Sequence, residues 1–180
     1  GALLKALETV TRCARMLHED VGCRHFPSHD VRRLSTEKLD AIVPIKSPTR
    51  THFANSGTEA VETALKLAMY VTGREKFIAF FNSFHGRTLG SLSLTSSKVA
   101  QRLGFKRSVL DVVHVPYPNE FRNPFRAEDC GDGGAGQGAL NWIEERLFKT
   151  TTPPSEVAAI VVEAVQGPLR FLRCPRRGKG

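Results

Sequence analysis

Cysteine is scarce and scattered in this chain: Cys13, Cys23, Cys130 and Cys174 show no C-x-x-C spacing. That pattern argues against both a disulfide framework and a zinc finger. The segment holding His18, Cys23, His25 and His29 is the one candidate metal cluster. Its irregular spacing reads as solvated or packed side chains rather than a ligand set, so no metal is expected. Long apolar runs are missing too; none approaches the 18 or so residues of a membrane span. No signal-peptide pattern is visible. An intracellular setting, cytoplasmic or mitochondrial, is the expectation. There is no internal repeat and no nucleic-acid recognition pattern.

Acid is absent from the last eleven residues, where Arg170, Arg173, Arg176, Arg177 and Lys179 stand alone. This tail holds +5 of the formal +8, and the rest sets 21 basic against 18 acidic groups. A mildly basic globule with a basic tail needs no nucleic acid to explain it. The 180 residues, 41% of them hydrophobic, suffice for one globular domain with a core or for part of a larger one. The first residue is Gly1 rather than Met, which points to a fragment or a processed product.

Periodicity gives a coarse map. Leu3, Leu4, Leu7, Val10, Ala14 and Leu17 predict an amphipathic helix over 2–18. A short helix follows over 35–42, with Ser35 able to cap it, before Pro44 and Pro48 break the chain. Residues 51–54 form a short strand candidate. Val61, Ala64, Leu65, Ala68 and Val71 predict a helix over 59–71, stopped by Gly73. Residues 77–81 read as a strand buried on both faces, 112–115 repeat that look, 139–148 read as a helix and 157–163 as another buried strand. Strands separated by helices predict an α/β fold with a mostly parallel sheet. The Gly-, Pro- and charge-rich stretch 119–138 reads as an irregular surface excursion. Beyond Gly167 the periodicity stops, and residues 168–180 are expected to be disordered.

Two loops carry chemistry. Asn55-Ser56-Gly57-Thr58-Glu59-Ala60 lies just before the 59–71 helix. Gly57 allows a tight turn and close approach of a ligand, and the free N–H groups of a helix start suit a phosphate. Ser56 and Thr58 add hydroxyl donors. The six residues fit a plain helix cap equally well. Ser83-Phe84-His85-Gly86-Arg87-Thr88 follows the 77–81 strand, where ligands of parallel sheets gather. Phe84 offers a stacking face for a planar heterocycle, and Arg87 a fork for a carboxylate. Taken alone, Phe84 fits a core position and His85 a structural hydrogen bond.

With Phe53-Ala54-Asn55-Ser56-Gly57-Thr58-Glu59-Ala60-Val61-Glu62 and Ala64-Leu65-Lys66-Leu67-Ala68, the chain resembles the phosphate-binding region of class III pyridoxal-phosphate-dependent aminotransferases. Phe84-His85-Gly86-Arg87-Thr88 is similar to that family's next signature. Val115-Pro116-Tyr117-Pro118, Pro124-Phe125, Ala158-Ala159-Ile160-Val161-Val162-Glu163 and Gln166-Gly167 continue it in order. The likeness covers about residues 50–167 and looks nearest to the 4-aminobutyrate aminotransferase branch.

The resemblance implies a partial fold type I large domain over 49–167, led into by a helical segment over 1–48. It implies pyridoxal 5′-phosphate as cofactor, held at a homodimer interface, with amino acids and 2-oxo acids as substrates. Ser56, Gly57 and Thr58 would bind the phosphate, Phe84 would stack on the ring with His85 beside it, and Arg87 and Glu163 would serve the substrate. In the complete enzyme the amino group would pass from an omega-amino acid such as 4-aminobutyrate to a 2-oxo acid. Neither a nucleic acid nor a membrane enters this reading.

The family's E-P-x-Q-G-E-G reads Glu163-Ala164-Val165-Gln166-Gly167-Pro168-Leu169 here, so its second glutamate is replaced. The family's pyridine-nitrogen aspartate and Schiff-base lysine come roughly thirty and sixty residues beyond Glu163, past Gly180. No catalytic residue is therefore assigned, and Lys179 in its Gly-rich setting is not expected to substitute. A non-catalytic homologue that binds cofactor or a partner is the alternative. A dinucleotide-binding reading of Gly131-Asp132-Gly133-Gly134-Ala135-Gly136 lacks the strand that must precede such a turn.

Overall fold

In the computed structural model, residues 36, 37, 39–43, 49–105, 109–166, 172 and 173 are described. They fall in two units that divide between Asn55 and Ser56. In the first unit, positions 36, 37 and 39–42 are helical, in line with the short helix expected there. The 2–18 helix and the His18, Cys23, His25, His29 cluster lie outside the described residues. Residues 51–54 form no strand, contrary to expectation. Phe53 is exposed there and no neighbouring strand pairs with the segment, and an extended stretch without a ladder is not a strand.

The second unit begins with helix α1, Gly57–Thr72. Ser56 caps it in an extended conformation, accepting the Glu59 N–H on its hydroxyl at 3.3 Å. Gly73 ends it in the left-handed region, φ 64°, with its N–H on the Met69 carbonyl. Strand β1, Lys76–Phe80, follows. It is the centre of a three-stranded parallel sheet, flanked by β2, Asp111–Val115, and β3, Val157–Ile160. Alternation along β1 sends Phe77 and Ala79 to one face with Leu65, Ala68 and Leu94, and Ile78 and Phe80 to the other with Val115, Ile143 and Leu147. The sheet is therefore covered on both sides, which explains why β1 reads as a continuous apolar run.

Two short helices separate β1 from β2: α2, Leu89–Leu94, and α3, Val99–Arg102. Between β2 and β3 the chain is less irregular than its composition predicts. Helix α4, Ala127–Cys130, and a 3₁₀ turn, Gly131–Gly133, lead into α5. Helix α5 runs Gly134–Asn141, continues as π-helical Trp142–Leu147 and closes with Phe148–Thr150. Phe125, Cys130, Ala135 and Ala139 form a small core of their own here, and that burial overrides the glycine content. The Gly131–Gly136 run is preceded by helix, not strand, so a dinucleotide turn is not formed. After β3, the two-residue strands β4, Val165–Gln166, and β5, Leu172–Arg173, pair antiparallel, so part of the expected tail has a strand partner.

One end of the sheet is fastened. Lys76 bridges Asp111 at 3.5 Å and Glu156 at 2.8 Å, and Arg74 Nη1 donates to the carbonyls of Pro154 and Val157, both at 3.0 Å. The opposite end, where β1, β2 and β3 finish, carries the site. Among the described residues no helix is long and apolar enough to cross a membrane.

Candidate functional site

The loop after β1 turns sharply: Asn82 is left-handed at φ 65°, and Gly86 sits at φ 139°. Hydroxyl groups staple this loop to α2. Ser83 Oγ donates to the Leu94 carbonyl at 3.1 Å, the His85 N–H donates to Thr95 Oγ1 at 3.0 Å, and Ser96 Oγ donates to the Phe80 carbonyl at 3.1 Å. The Gly86 backbone lies hard against the start of α1: a Cβ there would stand 2.2 Å from Thr58 Oγ1 and 2.4 Å from Ser91 Oγ. The loop of residues 83–88 and the N-terminus of α1 are thus one locus, as the two-loop reading of the sequence requires.

At the helix start, the amides of Gly57 and Thr58 belong to the first turn and have no intrahelical acceptor. A Cβ on Gly57 would meet nothing within 4 Å, so the side of the helix start where that Cβ would stand is open. Ser56 uses its oxygen on Glu59 N–H but keeps its hydroxyl hydrogen to give. Thr58 Oγ1 lies 2.8 Å from Thr88 Oγ1 and 2.7 Å from Ser91 Oγ. These groups can hold a compact anion with little adjustment.

Phe84 is 37% exposed, and its N–H donates to Glu163 Oε1 at 3.1 Å. Glu163, just past β3, also has its carbonyl held by Tyr117 OH at 3.1 Å, so it joins the ends of all three strands. Burial pushes the Glu163 carboxyl above its usual value, against the pull of the Phe84 N–H. Burial holds His85 below its usual value, helped by His114 nearby, which keeps the imidazole neutral at neutral pH. His114 itself, stacked on Phe81, is lowered by burial against the pull of the Leu94 carbonyl. Arg87 is exposed and makes no hydrogen bond or ion pair with the described residues.

Among the described residues, three buried polar atoms at this edge have no hydrogen-bond partner: His85 Nε2, Glu163 Oε2 and Gln166 Oε1. Gln166 is fully buried and donates through Nε2 to the Phe81 carbonyl at 2.9 Å. Such atoms in a native fold call for an explanation, and a polar ligand supplies one. A cleft of about 520 Å³ is lined by Phe81, Asn82, Tyr117, Arg122 and Gln166 among others; neither His85 nor Glu163, nor any other of the seven sequence-predicted site residues, lines it.

Glu62, Thr88 and Tyr117 stand inside the motifs read from the sequence with no role assigned to them, and Ser91 and Thr95 were not singled out. Glu62, four residues after Thr58, shares its helix face. Thr58 meets Thr88 and Ser91 across 30 and 33 positions and Tyr117 meets Glu163 across 46, whereas Thr88, Ser91 and Thr95 are neighbours three and four residues apart. No group of three or more metal-ligating side chains occurs among the described residues.

The family described as "Aminotransferase class-III" matches residues 4–169. An alanine/serine racemase of Pyrococcus horikoshii is 36% identical over 151 residues, covering 83% of this chain and 31% of its own length. A probable 4-aminobutyrate aminotransferase of Bacillus subtilis is 31% identical over 169 residues, covering 93% of this chain and 37% of its own length. Among solved structures, the taurine:2-oxoglutarate aminotransferase from Bifidobacterium kashiwanohense, in complex with PLP and glutamate, superposes with a TM-score of 0.61 at 27% identity, covering 89% of this chain and 36% of that one. An omega transaminase from Pseudomonas jessenii in complex with PMP reaches a TM-score of 0.66 at 27% identity, covering 97% and 38%. The chain spans about a third of the length of the curated relatives it matches.

Proposed function

This chain belongs to the class-III aminotransferase family, and on that premise we propose that it forms the cofactor-holding part of a pyridoxal-phosphate-dependent transaminase. The reaction is transfer of an amino group from an omega-amino acid such as 4-aminobutyrate to a 2-oxo acid in the complete enzyme. A homodimer is part of the proposal, supported by family membership alone.

The observation that carries the reading is the contact of Gly86 with Thr58, which brings a helix start and an aromatic loop to one place. The residues fit the cofactor: open space beside Gly57 leaves room for a phosphate, and the orphaned His85 Nε2 and Glu163 Oε2 await polar partners. Ser56, Gly57 and Thr58 hold the phosphate through two amides and two hydroxyls. Phe84 covers one face of the ring, its backbone fixed by Glu163. His85, kept neutral, can accept or donate one hydrogen bond at Nε2 without adding charge. Arg87, exposed, would pair with a substrate carboxylate, and Glu163 Oε2, without a partner among the described residues, would accept from a donor of the bound molecule. When bound, the cofactor supplies an electron sink for bond breaking at the amino-bearing carbon.

Titration of the chain with pyridoxal 5′-phosphate and with pyridoxal, followed by cofactor absorbance, tests the reading. The phosphorylated form is expected to bind more tightly, Thr58→Val to shrink that preference, and Phe84→Ala to weaken both ligands alike. Equal affinity for the two ligands would overturn it.

A further inference from the structure

A closed triangle of hydroxyls borders the start of α1. Thr58 Oγ1 is 2.8 Å from Thr88 Oγ1 and 2.7 Å from Ser91 Oγ, and the latter two are 2.9 Å apart. Below it, Glu62 Oε1 accepts the Thr88 hydroxyl at 2.5 Å and the Ser91 N–H at 2.9 Å. A Cβ on Gly90 would lie 2.3 Å from Glu62 Oε2. We propose that Glu62 is the positioning residue for Thr58, and that position 90 is glycine because the Glu62 carboxylate occupies the space a methyl would take. The inference rests on the reading of this rim as a phosphate site.

Hydrogen accounting shows what the carboxylate does. Three hydroxyls bring three hydrogens to the three sides of the triangle. An ionised carboxylate only accepts, so the Thr88 hydrogen is committed to Glu62 and leaves the triangle. Thr88 Oγ1 then faces Thr58 and Ser91 purely as an acceptor. A hydrogen runs from Thr88 to Glu62. Ser91 Oγ can give its own hydrogen to the Thr88 carbonyl, 3.1 Å away, or to Thr58 Oγ1; in the second arrangement the Thr58 hydrogen is free to turn to an anion while its oxygen stays anchored. Without the carboxylate, the Thr88 hydrogen returns to the triangle and the direction is lost. The Ser91 N–H bond fixes the height of the whole cluster against α1.

Gly90 offers a perturbation that leaves Glu62 itself untouched. It lies within α2 and has no left-handed φ, so alanine fits its backbone. The three nearest atoms in the way belong to the carboxylate of Glu62, the far end of a flexible side chain. Gly90→Ala therefore displaces the carboxylate without unfolding the chain. It removes position and keeps charge, Glu62→Gln keeps an acceptor oxygen and removes charge, and Glu62→Leu removes both.

Two readouts decide the matter. In the ligand-free chain, the Ser91 amide proton observed by NMR is expected to move upfield from wild type to Gly90→Ala and to Glu62→Leu, as its 2.9 Å bond to the carboxylate is lost. In ligand titrations, the preference for pyridoxal 5′-phosphate over pyridoxal falls roughly twofold to tenfold from wild type to Gly90→Ala, and by a similar factor from Glu62→Gln to Glu62→Leu, the worth of about one hydrogen bond. A Ser91 amide unmoved in both Gly90→Ala and Glu62→Leu overturns the proposal whatever the ligand result. A preference unchanged in both pairs overturns it too. If wild type shows no preference for the phosphorylated ligand, the phosphate reading fails, and the Ser91 amide alone decides whether Glu62 orders the hydroxyls.

Discussion

Replacing Gly86 by alanine strikes the contact on which the site depends. Its φ of 139° is a conformation that L side chains rarely adopt, and holding alanine there costs about 1–3 kcal/mol. The new methyl would also stand 2.2 Å from Thr58 Oγ1, 2.7 Å from Thr58 Cβ and 2.4 Å from Ser91 Oγ. Thr58 is β-branched and sits in the first turn of α1, so its Cβ cannot swing aside. Overpacking of this kind costs about 1–3 kcal/mol. A single shift of the loop relieves part of both penalties, so the sum is taken at about 2–4 kcal/mol, a large share of the roughly 5–15 kcal/mol that holds a domain together. Gly57→Ala is the matched control. Its Cβ meets nothing, its φ is ordinary, and alanine gains a few tenths of a kcal/mol in a first helical turn. Equilibrium urea unfolding is expected to lower the midpoint for Gly86→Ala without changing the slope, and to hold or raise it for Gly57→Ala. Phosphate-dependent binding should fall in both variants. A Gly86→Ala chain within about 0.5 kcal/mol of wild type would refute the convergence of the two loops.

Three further outcomes follow from the same geometry. Burial raises the Glu163 carboxyl, so its contribution to stability is present below about pH 4.5 and is lost as pH rises through the raised value; Glu163→Gln, which can still accept the Phe84 N–H, should therefore unfold at higher urea than wild type at pH 7, and a lower midpoint would contradict this. His85 and His114 are both depressed, so they favour the fold above about pH 6.5 and cost stability as pH falls through their folded values; a double His85→Gln, His114→Gln chain should lose less stability than wild type between pH 7 and 5. Arg74→Met removes two hydrogen bonds from the start of β3 and should cost about 1–2 kcal/mol by the same unfolding measurement, with no effect on the ratio of cofactor to pyridoxal affinity.

What the sequence made legible is what local chemistry decides. Helix α1 could be read because its cap, apolar stripe and terminating glycine lie within one stretch, from Ser56 to Gly73. Strands β1 and β3 could be read because burial leaves unbroken apolar runs, 77–80 and Val157–Ile160, while β2 keeps enough of that look in its three valines despite His114. Helix α2 could not: Leu-Gly-Ser-Leu-Ser-Leu is poor helical sequence. It stands because Ser93 Oγ donates to the Leu89 carbonyl, Thr95 closes its end, and Glu62 holds the Ser91 amide from outside. Residues 51–54 failed in the other direction, since strand-like composition forms no strand without a partner. At the site, both loops were legible as motifs. The hydroxyl triangle was not, because only its Thr88–Ser91 side is local, and Thr58 stands 30 and 33 positions away from the other two.

The two ends of the sheet differ in how fully their polar groups are matched. At the amino end, Lys76 has two acidic partners and Arg74 has two carbonyls, so charge and hydrogen-bonding capacity are matched. At the carboxyl end, Gln166, Tyr117 and Glu163 lash the three strand ends together through bonds to main-chain groups. Those lashings use one atom of Gln166 and one carboxylate oxygen of Glu163 and leave the other of each buried and unmatched, along with His85 Nε2. Each such atom costs about 1–3 kcal/mol while it lacks a partner. Stability alone would favour apolar side chains in their place. Their retention on one end only is accounted for if the missing partners arrive with a ligand or with further chain. An edge already held rigid by the other half of each side chain offers that ligand a preorganised set of polar contacts.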